Sequence, residues 1–184
     1  MIFNRHTDLA GKHAFLSPST YHWLNYDDQK LEARFISHSA AKRGTALHDF
    51  AQSAIELGIK MPRTQTTLNM YINDAIGFKM ECELALYYSA NCFGHVDAIS
   101  FRKELLRIHD LKTGLTPTSM KQLEVYDAIF CLEYGFSPFE IGHELRIYQN
   151  DQVFAHEPHP DTIAHIMDKI ITFDRQIEMM KGAL

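Results

Sequence analysis

The chain has 184 residues, of which 46% are apolar, 11% aromatic and 22% charged. That composition suits one compact globular domain and excludes disordered, collagen-like and coiled-coil classes. Lys and Arg number 18 against 23 Asp and Glu, a formal charge of −5, so bulk attraction cannot hold nucleic acid and a DNA contact would need a local basic groove or bound cations.

Residues 1–35 mix aromatics with turn formers such as Ser17, Pro18, Asn25, Asp27 and Asp28, and read as a loop with a short helix over about 18–23. No basic-then-apolar leader layout follows Met1. Leu47, Phe50, Ala51, Ala54 and Leu57 recur at helical intervals ahead of Gly58, which predicts an amphipathic helix over 39–57. A second, weaker helix is predicted over 66–77, after Pro62. From Leu84 the period drops toward two, and strands are expected over 84–89, 93–101 and 105–111. Thr116, Pro117 and Thr118 open a predicted helix over 119–134 that Gly135 and Pro138 stop. Strands over 143–148 and 153–156 flank a turn at 149–152, and a last helix after Pro160 carries Ile163, Ile166, Met167, Ile170, Phe173 and Ile177 on one stripe. The expected architecture is α/β, with a central mixed sheet of about five strands flanked by helices. One domain is expected over 1–184, divided into an N-terminal segment 1–38, a core 39–158 and a C-terminal helix 159–184. No apolar run approaches the about 18 residues of a membrane span, so no membrane partner is expected. Cys82, Cys92 and Cys131 lack CxxC spacing and are too few for a disulfide framework, which points to a reducing, cytoplasmic setting.

The second and third strands carry the chemistry. Alternation sets Phe93, His95, Asp97, Ile99 and Phe101 on one face of one strand, and Leu106, Ile108, Asp110 and Lys112 on one face of the next. Two carboxylates and an ammonium can then converge. Close carboxylates repel unless a cation lies between them, and oxygen donors of this kind suit Mg²⁺ or Mn²⁺. On spacing alone a second account stands beside this one, in which Asp110 pairs with Lys112 and Asp97 caps a turn.

Four segments occur in order: Gly44-Thr45-Ala46-Leu47-His48, Gly94-His95-Val96-Asp97, Asp110-Leu111-Lys112-Thr113-Gly114, and Gln122-Leu123-Glu124-Val125-Tyr126. Together they resemble the RecB-type branch of the PD-(D/E)XK nuclease superfamily, over roughly residues 44–126. Ser17-Pro18-Ser19 resembles the Ser-x-Ser stretch that opens many RecB-type domains. Within the family the nearest likeness is to small nucleases encoded by phages and prophages. The resemblance implies a restriction-endonuclease-like core and a DNA nuclease dependent on Mg²⁺ or Mn²⁺, with exonuclease work in phage recombination, repair or DNA processing. It implies His48, Asp97 and Asp110 as metal ligands, with the Leu111 carbonyl joining them and Glu83 as an additional acidic ligand. Lys112 would orient or help deprotonate the attacking water. Gln122 and Tyr126, one turn apart on a helix face, would border DNA and the active centre. Thr113, Lys42 and Arg43 complete the expected DNA-contacting set. A bacterial host cytoplasm, and a homo-oligomer or an annealing or recombination partner, go with that picture.

Relatives with an iron–sulfur cluster hold it with four cysteines, one upstream and three near the C-terminus; three are present here, all within 82–131, so no cluster is expected. No P-loop occurs, so no nucleotide cofactor is expected. Two other readings remain. One is a nuclease-fold module that binds DNA or protein without cutting. The other is a penicillin-binding type serine hydrolase, in which Ser39-Ala40-Ala41-Lys42, Tyr71-Ile72-Asn73 and Lys112-Thr113-Gly114 mimic S-x-x-K, Y-x-N and K-T-G. The chain is short for that hydrolase fold. His156, His159 and His165 suggest a zinc site, with solvated surface histidines as the simpler account. Tyr21, His22, Trp23 and Tyr26 can stack on bases or fill a core.

Overall fold

The computed structural model describes residues 15–16, 18–115 and 118–182, apart from the side chains of residues 18–21 and 40–42. The segment at Ser17, the side chains of Tyr21 and Lys42, and the Thr116-Pro117 helix start therefore lie outside what is described. The chain divides into a unit of residues 1–45 and a larger one of residues 46–184.

The smaller unit holds a 3-10 turn, Pro18–Asn25, and the first part of helix α1, Asp28–Glu56. Asp27 caps α1, its Oδ1 accepting the Lys30 N–H at 2.8 Å. The helix thus begins well before residue 39. The extra turns escaped the periodicity because they bury no stripe: Leu31, Phe35 and Ile36 are exposed. Phe15 meets Phe35 edge-on at 5.5 Å, and Lys30 lies over the Tyr26 ring.

The larger unit is α/β. Its elements are the end of α1, helix α2 (Thr67–Phe78), strands β1 (Glu81–Ser89), β2 (Cys92–Arg102) and β3 (Leu105–Leu111), helix α3 (Lys121–Tyr134), strands β4 (Gly142–Gln149) and β5 (Gln152–His156), and helix α4 (Pro160–Gly182). The five strands form one mixed sheet in chain order, antiparallel except where β3 runs parallel to β4. A parallel neighbour demands a crossover, which α3 supplies. The two-residue turns Lys103-Glu104 and Asn150-Asp151 hold both residues at positive φ, which matches the twist of tight hairpins.

Helices cover both faces of the sheet. On one, Leu86, Val96, Ile99, Leu106, Ile108, Leu145 and Ile147 pack with Leu123, Ala128, Ile129 and Phe130 of α3 and Ile163 of α4. On the other, Ala51, Ala54 and Ile55 of α1 and Tyr71, Ile72 and Ala75 of α2 pack on Met80, Ala98, Leu111 and Tyr148. Ala51, Ala54 and Ile55 of α1, not Phe50 or Leu57, make its contact; both of those are exposed. The expected α4 stripe likewise stops short of Phe173, which is exposed. Beyond it α4 holds the β1–β2 hairpin by polar contacts, with Asp174 accepting from Ser89 and Asn91, and Lys181 donating to Asn91. A buried His143 donates through Nε2 to the Pro138 carbonyl and shares a hydrogen bond of 2.8 Å between Nδ1 and Asp127, which ties β4 to α3. Among the described residues no helix is long and apolar enough to cross a membrane.

Candidate functional site

Asp110, Leu111 and Lys112 stand at the carboxyl end of β3, just before the crossover, where open α/β sheets place their ligand crevices. The β2–β3 ladder runs from Arg102 opposite Leu105 to Ala98 opposite His109, and the same register sets Asp97 opposite Asp110 where the strands part. There the Leu111 N–H donates to Asp97 Oδ2 at 2.8 Å, while the Lys112 N–H continues the β4 ladder by donating to the Tyr148 carbonyl. The side chain of Asp97 thus takes the place of a ladder acceptor.

Lys112 lies between two partners, its Nζ donating to Asp110 Oδ1 at 2.9 Å and to Gln122 Oε1 at 3.1 Å. The pairing of Asp110 with Lys112 that spacing left open is present. It uses one oxygen only: Asp110 Oδ2 is buried and has no hydrogen-bond partner among the described residues. A buried, uncompensated carboxylate oxygen is costly, and a cation or water is its natural complement.

His48, on the last part of α1, brings Nδ1 to 3.6 Å from Asp97 Oδ2. Glu83 joins them: one ligand atom from each of His48, Glu83 and Asp97 lies within 4.8 Å of the others. Asp110 stands outside that trio, one rung across and held by Lys112, and for Leu111 it is the N–H that meets Asp97. Glu83 reaches this place through an unusual backbone. It has φ 51°, a left-handed conformation uncommon for a residue with a Cβ. Cys82 and Ala98 pack on the α1/α2 side, whereas Leu84 and Val96, two residues along, pack on the α3/α4 side. The alternation expected across 93–101 therefore breaks at the Glu83–Asp97 rung, because Val96 and Ile99 both face α3 and α4. Local strain of this sort, at a cluster of ionisable groups, is a common mark of a functional site.

Electrostatics agree with the geometry. Burial, and then the nearby Asp110 carboxylate, push Asp97 up to about 6, against the opposing pull of the Leu111 N–H, His48 and Lys112. Burial also raises Asp110, which Lys112 partly offsets. Among the described residues, the Lys112 ammonium meets Asp110 and the His48 imidazole stands beside Glu83 and Asp97. This donor set of carboxylate oxygens and one imidazole, with an orphaned oxygen on Asp110, fits a divalent cation such as Mg²⁺ or Mn²⁺.

Tyr126 and Gly94 are placed by one another. A Cβ at Gly94 would lie 2.8 Å from Tyr126 Cε1, so the bare glycine lets the ring lie on β2. Gly94→Ala is expected to cost about 1–2 kcal/mol by overpacking. Combined with Tyr126→Ala it should cost clearly less than the two changes summed, measured by urea unfolding in a double-mutant cycle; strict additivity would remove the contact. The loop after Lys112 is fixed by buried Gln149, whose Nε2 donates to the Gly114 carbonyl at 2.6 Å and whose Oε1 accepts from Thr118. Thr113 is exposed on that loop. Arg43 is exposed in the N-terminal unit, to which Lys42 also belongs.

Tyr71 was singled out only as the first residue of the Y-x-N segment, not as part of the metal site. It is buried against Tyr148, and burial followed by Asp97, Cys82, Asp110 and Glu83 holds its hydroxyl above the ordinary phenol range. Asn73 spends its amide on Met61, accepting from its N–H and donating to its carbonyl, so the Y-x-N segment of the hydrolase reading has structural work. His156 bonds buried Glu124, and His159 pairs with Asp161 at the surface.

Comparison with protein families, curated proteins and solved structures finds no match for this chain.

Proposed function

We propose that this chain is a divalent-metal-dependent deoxyribonuclease of the PD-(D/E)XK type that hydrolyses phosphodiester bonds, acting as an exonuclease in phage DNA recombination, repair or processing. The observation that carries the reading is the convergence of Asp97, Asp110 and Lys112 where β2 and β3 part, with His48 and Glu83 beside Asp97 and a buried Asp110 oxygen lacking a partner. His48, Glu83, Asp97 and Asp110 would hold Mg²⁺ or Mn²⁺, which when bound would neutralise charge on the phosphodiester and acidify adjacent water.

The chain's own groups supply the rest. Asp97 is oriented by the Leu111 N–H, and Asp110 by Lys112. Lys112 Nζ, steadied by Gln122, is set to donate a hydrogen bond to water near the scissile phosphate and to stabilise the charge that develops there. Gln122 and Tyr126 share the α3 face beside the site and would meet the DNA, with Thr113, Lys42 and Arg43 as further phosphate contacts. Three free cysteines support a reducing cytoplasm as the place of action. DNA is the partner, with a homo-oligomer or an annealing protein as an added one.

The test is cleavage of end-labelled linear and covalently closed circular DNA with EDTA, Mg²⁺ or Mn²⁺. Loss of linear DNA alone, only with metal, is the expected result and defines an exonuclease. Nicking of circles would keep the catalytic centre and make it an endonuclease. Failure to cut either substrate while Mn²⁺ binds would overturn the reading in favour of a non-cutting binding module.

A further inference from the structure

On β1 and β2, Tyr87 lies opposite Phe93 and Ala85 opposite His95, and the pairs Leu84–Val96 and Cys82–Ala98 bracket Glu83 and Asp97 farther along. Tyr87 and Phe93 are 52% and 59% exposed, with ring centroids 6.3 Å apart and planes tilted by 30°. Ala85 and His95 are exposed as well. The other face of the same hairpin is covered, since Leu84, Leu86 and Val96 pack toward α3 and α4. The hairpin is also anchored from that side: Glu133 of α3 accepts the Tyr87 N–H at 2.7 Å, and Asp174 of α4 accepts from Ser89 and Asn91. Two large aromatic rings are therefore held side by side on a sheet face that no helix covers among the described residues and that leads to the candidate metal centre.

We infer that Tyr87 and Phe93, with His95 between them and the site, form a stacking platform for unpaired nucleotides of a strand whose end enters the centre at Asp97, so that the substrate carries a single-stranded end. The inference rests on the nuclease reading for its direction, because the same strand carries both features. Asp97 lies four steps along the strand from Phe93, about 13 Å at the strand rise of roughly 3.3 Å per residue. A nucleic-acid strand rising about 3.4 Å per stacked nucleotide spans that gap with about four nucleotides, and with fewer when extended. Aromatic faces are sequence-tolerant partners for bases, and stacking draws on the π-face of the base rather than on the net charge of the chain, which is −5 here. A second copy of the chain is the weaker occupant. Two half-exposed rings offer roughly 200 Å², against the roughly 800 Å² per partner of a stable protein interface.

The test is fluorescence anisotropy with labelled oligothymidylate and with a blunt duplex of equal length, in EDTA and in Ca²⁺. It uses wild-type protein, Tyr87→Ala/Phe93→Ala and Tyr87→Trp/Phe93→Trp. Circular dichroism and Mn²⁺ titration check that fold and centre are unchanged. The double alanine variant should bind oligothymidylate about tenfold more weakly or worse. Its duplex affinity should stay within about twofold, and the tryptophan variant should retain tight single-strand binding. Equal oligothymidylate affinity in wild type and the alanine variant would overturn the platform. So would a wild-type dimer, seen by sedimentation, that the alanine variant dissociates with no change in oligothymidylate binding. Because the readout is binding rather than cutting, a platform failure leaves cleavage intact, and a wild-type protein that binds but never cuts fails the nuclease reading instead.

Discussion

Lys112→Ala should lower DNA cleavage by about 10²–10⁴-fold, the range typical of a lost acid–base or water-positioning group, without lowering Mn²⁺ affinity. The ammonium donates to Asp110 Oδ1 and Gln122 Oε1 and leaves Asp110 Oδ2 unpartnered. A cation that uses the free oxygen does not need Lys112. Removing a positive charge 2.9 Å from a ligand carboxylate can only favour a second positive charge there. Metal affinity should hold or rise, and only the rate should fall. Calorimetric Mn²⁺ titration beside a single-turnover cleavage assay separates the two quantities. Turnover at the wild-type level would remove Lys112 from the chemistry. Loss of Mn²⁺ binding in parallel with the rate would instead make it a scaffold for Asp110.

The strands themselves and the Asp110–Lys112 pair were legible because both follow from period two: positions two apart in an extended segment share a face, and these two meet as that rule requires. The rung at Asp97 was not legible. It depends on Glu83 adopting a left-handed backbone, and nothing in the type of that residue announces a positive φ that glycine or asparagine would signal. The same holds for Lys103-Glu104, which turns as tightly as an Asn-Gly pair without being one. The approach of His48 to Asp97 is tertiary, set by Ala51 and Ala54 packing close under the sheet. The predicted stripe included Ala51 and Ala54, which do make the contact, but also Phe50 and Leu57, which are exposed, because a periodic pattern does not say which side of the stripe can pack close. The tie from Gln149 to Gly114 joins positions far apart in sequence, so only the parallel register of β3 and β4 brings it into view.

Asp97→Asn should make the metal-free protein more stable at neutral pH and less stable than wild type once Mn²⁺ is added. The carboxyl of Asp97 is pushed up to about 6, first by burial and then by Asp110. A carboxylate in an unfolded chain titrates near 3.9, so the folded state binds the proton more tightly. Wild-type stability from this group is therefore greatest below about pH 4, falls as pH rises toward 6, and stays low above it. At 1.36 kcal/mol per pH unit the penalty is about 2–3 kcal/mol, or roughly 5–10 °C in Tm for a domain of this size. Asparagine keeps an oxygen to accept the Leu111 N–H and carries no charge, so in EDTA the gap between variant and wild type should open between pH 4 and 6 and close again in acid. A cation bound by the folded state alone contributes about 2.7 kcal/mol at a hundredfold excess over Kd. Wild type should gain that increment, and the variant, short of a ligand charge, much less. The order of the two melting curves at pH 7 should thus reverse on adding Mn²⁺, with cleavage lost in the variant. A variant less stable in EDTA would show that the Asp97 carboxylate is structural, and equal gains from Mn²⁺ would show that it is not a ligand. The reversal is what separates a strained, charge-crowded corner awaiting a cation from an ordinary buried ion pair, because an ion pair deprived of its acid loses stability under both conditions.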